Sequence, residues 1–140
     1  MSLAMSIDER EQFLSNLHVG LISIPRSRRG PLTVPIWYAY EPGGKPWMIT
    51  DSGSLKGRCL EKCDRISLCV QTEELPYQYV MVEGTFEITK SNNDQLLAMA
   101  IRYLGPEQGK LYAASDKADT SVIVTLTPDQ WLSTDYAKQT

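Results

Sequence analysis

The residues with the clearest chemical potential lie between positions 46 and 58, in the run Pro-Trp-Met-Ile-Thr-Asp-Ser-Gly-Ser-Leu-Lys-Gly-Arg. A short apolar strand pattern over 47–50 gives way at Ser52-Gly53-Ser54 to a stretch that reads as a helix over 54–62. The pattern puts Lys56 and Arg58 in the first helical turn. Amide dipoles at that end favour acids, so a cation pair there has the wrong sign for the helix alone. The sign becomes right if an anion sits at the same place, held by first-turn N–H groups and the serine hydroxyls. Phosphate is the anion that fits. Gly57 within the helix costs about 1 kcal/mol relative to alanine, a cost that a close backbone approach would explain.

Other reactive side chains are sparse. Asp51-Ser52-Gly53-Ser54 has the outline of a nucleophile loop, but with a single histidine and no oxyanion motif it lacks the partners of a serine hydrolase. His18 reads as a packed residue at a strand start. Cys59, Cys63 and Cys69 are odd in number and follow no secretion signal, which points to reduced thiols in a cytoplasmic protein. With one histidine to join them, no metal site is expected. Arg26, Arg28 and Arg29 form a basic turn, either a solvated hairpin or a grip on an acidic ligand tail. Trp37 and Trp47 suit a core, an interface or contact with a planar ligand. No catalytic acid or base stands out.

The elements that must position these groups follow from periodicity and turn chemistry. At 140 residues the chain suits one domain. Residues 1–5 are expected to be a tag or disordered start, and 6–140 the domain. Ser6 and Glu9 form a capping box for a helix over 7–16, with Ile7, Leu14 and Leu17 as its apolar stripe. Strands are expected over 18–24 (covered on both faces), 32–40 (interrupted by Pro35), 47–50, 66–70, 77–89 and 121–127. A helix from Asn92 or Asn93, with Leu97, Ala100, Ile101 and Leu104 inward, stops at Gly105-Pro106, and a further helical turn is expected near 107–114. Residues 131–136 are an aromatic tail. About six antiparallel strands with flanking helices give a mainly β, α+β fold, a closed or split β-barrel. The net charge of -3 and pI near 5.1 argue against nucleic acid. No apolar run approaches the length of a membrane helix.

The ordered pieces His18-Val-Gly-Leu-Ile, Val34-Pro-Ile-Trp-Tyr38, Ile49-Thr50, Gly53-Ser-Leu-Lys56, Arg65-Ile-Ser-Leu-Cys-Val70, Pro76-Tyr-Gln-Tyr-Val80 with Val82-Glu-Gly84, Arg102-Tyr-Leu-Gly105 and Thr127-Pro-Asp-Gln-Trp131 resemble one family. It is the FMN-binding split β-barrel family related to pyridoxamine 5′-phosphate oxidase, in its small flavin or deazaflavin branch. The resemblance implies that Ser54 and Lys56, with Arg58 beside them, hold the cofactor phosphate. It places the ring against Val34, Pro35, Ile36 and Trp37 and against Ile49 and Thr50, with Tyr79 on the long strand near a subunit interface. It implies a homodimer with the cofactor at that interface. Cys59 stands where the family has asparagine, and the substrate-binding arginine and histidine of the true oxidase have no counterpart, so pyridoxal phosphate synthesis is not expected. The implied function is an FMN-dependent oxidoreductase moving hydride to an unknown small-molecule substrate. The alternatives are a reductase using the deazaflavin coenzyme F-420, towards which the Pro76-Tyr-Gln-Tyr-Val run leans, and a non-catalytic flavin or planar-ligand binder.

Overall fold

The computed structural model describes residues 2–115 and 120–139. Helix α1 (Ile7–Ser15) starts where the capping box places it: the Ser6 hydroxyl accepts from the Glu9 N–H (3.1 Å) and the Glu9 carboxylate accepts from the Ser6 N–H (2.8 Å). Lys138 also bonds that carboxylate, and together these donors hold the Glu9 acid down to about 2. The helix buries Phe13 and Leu14, whereas Ile7 and Leu17 of the expected stripe are exposed. Residues expected to precede the fold make contacts with it. Leu3 C=O accepts from the Asp135 N–H (2.8 Å), and the Met5 N–H donates to the Ser133 hydroxyl (2.9 Å).

Strands β1 (Gly20–Ile24), β2 (Leu32–Ile36), β3 (Tyr38–Ala39), β4 (Trp47–Asp51), β5 (Arg65–Gln71), β6 (Gln78–Lys90) and β7 (Ser121–Asp135) form one antiparallel sheet in the order β2-β1-β5-β6-β7-β4-β3. There are seven strands rather than about six, because the expected second strand breaks at Trp37 into β2 and β3. Those two halves are the two edges of the sheet. A single residue therefore joins its opposite ends, and the sheet must curl round on itself, which is the split barrel. Pro35 sits on the edge strand β2, where its missing N–H costs no ladder bond.

The barrel interior is filled from alternate positions: Ile22 and Ile24 of β1, Leu68 and Val70 of β5, Val80 and Val82 of β6, and Val124 and Leu126 of β7. β1 was expected to be covered on both faces. It alternates instead, with Leu21 facing outward, because it is one stave of a barrel wall and has the core on one side only. On β6 the same inward face fades toward the strand end, where Ile88 is exposed.

β7 runs through the segment expected to be a tail. It pairs with β6 from Val122 to Asp135, and its first five residues, Ser121 to Thr125, pair with β4 on the other side. The ladder with β6 contains a bulge: Gly84 pairs with Pro128 and Glu83 with Gln130, leaving Asp129 as the extra residue. Pro128 is tolerated because a bulge needs no ladder donor there. Arg65 of β5 reaches across β6 to fork onto the Asp129 carboxylate (2.7 and 2.8 Å) and fixes it there.

Helix α2 (Leu55–Leu60) follows β4, and α3 (Asn93–Ser115) connects β6 to β7. At Gly105 (φ 85°, ψ 170°) α3 is broken into two helices, so the expected stop is real but the chain resumes as helix straight after Pro106. No helix of the described residues is long and apolar enough to cross a membrane.

A Cβ on Gly84 would fall on the Thr127 carbonyl. Gly84→Ala is therefore expected to destabilise the fold by about 1–3 kcal/mol, the cost of overpacking a close contact, measured by urea denaturation. An unchanged midpoint would mean that the bulge does not depend on this close approach.

Candidate functional site

The phosphate-cradle stretch folds as β4, a tight turn and α2. Ser54 is the N-cap of α2: its hydroxyl accepts from the Gly57 N–H (3.1 Å) and donates to the Asp51 carbonyl (2.7 Å). Asp51 closes the turn, with Oδ1 accepting from the Gly53 N–H (2.7 Å) and Oδ2 from the Thr120 hydroxyl (3.0 Å). Gly57 is where α2 lies against the end of β4, and a Cβ there would meet the Asp51 and Ser52 carbonyls. The close approach expected from its sequence position is present. Lys56 is the second residue of the helix and forms no ion pair with any described residue. Arg58 is different: in so short a helix it belongs to the last turn, where a cation complements the carbonyl end. The cation pair expected in the first turn is thus one cation, Lys56.

A cleft of about 400 Å³ opens beside this turn. Pro35, Ile36 and Trp37 form its wall at the break between β2 and β3, and Ile49, Thr50, Ser54 and Lys56 line it from β4 and α2. Leu96, Met99 and Ala100 cover it from the first half of α3, and Tyr112 reaches it from the second half. Val19, Asp51 and Ser121 complete the lining.

Three expected residues lie elsewhere. Val34 pairs with Ile22 and packs against the core, because its side chain points to the opposite face from Pro35. Arg58 is exposed on α2, away from the lining. Tyr79 sits on the outer barrel face, between Gln71 and Thr134 in register, and does not line the cleft. Trp47 is also outside it.

The α3 contributors were missed because two apolar stripes compete on that helix. The expected stripe was Leu97, Ala100, Ile101 and Leu104, whereas Leu96, Met99 and Ala100 are buried and Leu104 is exposed. Polar contacts decide the rotation. Arg102 Nε donates to the Tyr38 carbonyl (2.9 Å), and Arg102 Nη2 to the Asn16 carbonyl (3.1 Å). The Tyr103 hydroxyl accepts from the Tyr38 N–H (3.0 Å) and donates to the His18 carbonyl (2.6 Å). These side chains supply the backbone bonds that β3 lacks at the split. Tyr103 also stacks on Trp37 (4.8 Å between ring centres, 7° between planes), which fixes that wall of the cleft.

Two groups with shifted titrations, His18 and Tyr38, stand outside the cleft lining. Burial holds the His18 imidazole below its ordinary value, so it is neutral and stacked on Phe13 (4.6 Å). Burial likewise raises the Tyr38 phenol, which donates to the Leu14 carbonyl at 2.6 Å. Both are packing groups. The geometry is that of a binding site with an apolar slot, several hydroxyls, the Lys56 cation and the Asp51 carboxylate, which is bonded to the Gly53 N–H and the Thr120 hydroxyl.

No family model matches the chain, and no curated protein matches it in sequence. Solved structures do match. A conserved hypothetical protein from Mycobacterium tuberculosis superposes with a TM-score of 0.78 at 22% identity, over 96% of this chain and 88% of that one. An F420 reductase superposes with a TM-score of 0.74 at 21% identity, over 87% of this chain and 94% of that one. A putative pyridoxamine 5′-phosphate oxidase from Listeria innocua gives 0.70 at 9% identity, over 91% and 96%. The chain has the split β-barrel fold of these proteins, and the resemblance read from the sequence holds at the level of the fold.

Because the Ser54 hydroxyl is bonded within its own turn, its first role is to cap α2. Ser54→Ala should cost about 0.5–2 kcal/mol of stability, and Ser54→Gly only a few tenths, by chemical denaturation. Equal, negligible costs for both would remove the capping role.

Proposed function

We propose that the cleft holds a flavin-type cofactor and that the protein is an FMN-dependent oxidoreductase. One observation carries the proposal: a single cleft joins an apolar wall, Pro35 to Trp37 and Ile49, to a lysine at a helix start that forms no ion pair with any described residue. Its volume falls within the range of about 300–1,000 Å³ usual for small-molecule sites. The likeness to an F420 reductase and to a putative pyridoxamine 5′-phosphate oxidase supports a cofactor of this type.

The residues present fit such a group in kind. Lys56 would take the phosphate by charge-assisted hydrogen bonding, helped by the N–H groups of the first turn of α2. Ser54 fixes that turn, and its hydroxyl also meets the Thr50 hydroxyl (3.3 Å). Pro35, Ile36, Trp37 and Ile49 would flank a planar ring, while Leu96, Met99 and Ala100 exclude water from behind. When bound, the cofactor supplies the ring through which hydride moves; the protein supplies grip, orientation and dryness. The three cysteines are free thiols, in keeping with the proposed cytoplasmic setting.

Coenzyme F-420 is the second reading, favoured by the match over 94% of an F420 reductase. Arg26, Arg28 and Arg29 bear on it. They occupy the β1–β2 turn, at the far end of the hairpin from Val19, roughly 16 Å along the strand, so they could meet only a long acidic tail leaving the cleft.

A homodimer is part of the same proposal. Pro35, Leu21, Cys69, Met81 and Leu132 are successive partners across five neighbouring strands and make an apolar row on the outer barrel face. A single row, Thr33, Ser23, Ser67, Glu83 and Gln130, flanks it on one side with polar side chains. Pro35 ends the apolar row and also lines the cleft, so a second copy seated on this face would adjoin the cofactor.

Titration of the protein with FMN and with coenzyme F-420, followed by absorbance and fluorescence, tests the site. FMN is expected to bind, and Lys56→Ala to weaken it by about 1.5–3 kcal/mol, the range for a hydrogen bond to a charged group. Binding of neither cofactor at high micromolar concentration would sink the proposal. Absence of turnover of the bound, reduced cofactor with quinones and enones would assign a binder rather than an enzyme. For the dimer, Met81→Glu should shift the elution volume to that of a monomer while leaving the circular dichroism spectrum unchanged. A wild-type protein that already elutes as a monomer would overturn it.

A further inference from the structure

We propose that the second half of α3, residues 106–115, is a hinged cover for the cleft, turning about Gly105 and closing on Trp37 through Tyr112. The proposal concerns access to the site described above and rests on that reading for what the cover encloses.

The two halves of α3 are attached to the protein very differently. Asn92 caps the first half through its side chain, which accepts from the Gln95 N–H (2.8 Å). Leu96, Met99 and Ala100 are buried, and Arg102 and Tyr103 bond the carbonyls of Asn16, His18 and Tyr38. The second half buries a single residue, Gly109. A Cβ there would lie 2.7 Å from the backbone of Ile101, so at Gly109 this helix lies close against the first one. Leu111 is 66% exposed and Tyr112 46% exposed. A segment with so little apolar burial opens at low free energy relative to the whole fold.

The junction is built to turn. Gly105 has φ 85° and ψ 170°, a conformation open to glycine and strained for other residues. A Cβ on it would meet nothing within 4 Å, so backbone freedom and not space explains the glycine. Pro106 then suits the first position of a new helix and brings no N–H to bond back across the junction.

Tyr112 is what the cover places in the cleft. Its ring lies 5.5 Å from that of Trp37 at 48°, a tilted contact, while Tyr103 is stacked flat on the same indole. Trp37 is therefore fixed by one tyrosine from the anchored half and touched by one from the loose half. A planar ligand entering along the Pro35–Trp37 wall would exchange the Tyr112 contact for its own.

Hydrogen exchange read by mass spectrometry on the full chain tests this, without cofactor and with FMN. Without cofactor, amides of residues 106–115 should exchange at least about 10-fold faster than those of 93–104, and Tyr112→Ala should speed only the former. With FMN bound, exchange in 106–115 should slow several-fold. Equal rates in the two halves, or a Tyr112→Ala effect spread over both, would overturn the hinge. FMN that binds yet leaves 106–115 unchanged would overturn the covering role. If FMN fails to bind, the cofactor reading fails by itself, and the rate difference with its Tyr112→Ala response still decides the hinge.

Discussion

The structure depends on the junction at Trp37. One residue connects β2 to β3, the two edge strands of a seven-stranded sheet, so the sheet has to close upon itself. At that junction the ladder is interrupted, and interrupted backbone must find partners elsewhere or pay for burial without them. The partners come from α3. Tyr103 takes the Tyr38 N–H, and Arg102 and Tyr103 reach the carbonyls around it. The cleft is what remains beside the split once α3 has been docked to repair it. The site and the barrel's closure are thus consequences of the same break.

That arrangement also separates rigid from movable parts. β4, its turn and α2 are tied by Ser54, Asp51 and the close approach at Gly57, giving Lys56 a fixed base. The indole of Trp37 is fixed by Tyr103. Opposite these, the outer half of α3 contributes one aromatic ring and little burial. A site with a firm floor and a loosely held roof suits a ligand that must enter whole and be shielded afterwards. The apolar row on the outer barrel face meets the site at Pro35, so the proposed subunit association would involve the same wall.

Several features were legible before any coordinates. The capping box of α1, the turn before α2, the glycine that lets α2 approach β4, and the stop at Gly105 are local signals, set by residues within a few positions of one another. Pro35 to Trp37, Ile49, Thr50, Ser54 and Lys56 were picked out, and one cleft brings them together. Val34, Arg58 and Tyr79 were not separable from them by type. Val34 faces inward by strand alternation, Arg58 belongs to the end of a helix shorter than its pattern implied, and Tyr79 lies on a different face of the barrel.

What the sequence determined by itself was most of the strands and turns, a mainly antiparallel barrel class, and a helix start carrying Lys56. These rest on periodicity and turn chemistry, which act over a few residues. Tertiary structure decided the rest. Two apolar registers were available to α3, and only hydrogen bonds to residues some 60 to 90 positions away chose Leu96, Met99 and Ala100 as the buried set. The length of β7 depended on a bulge whose partner, Gly84, lies far back in the chain. Tyr112 carries no local signal of its place in the cleft, since a kinked helix brings it there. Contacts between distant positions are set by which surfaces can be satisfied together, and that is a property of the folded chain and not of any stretch of it.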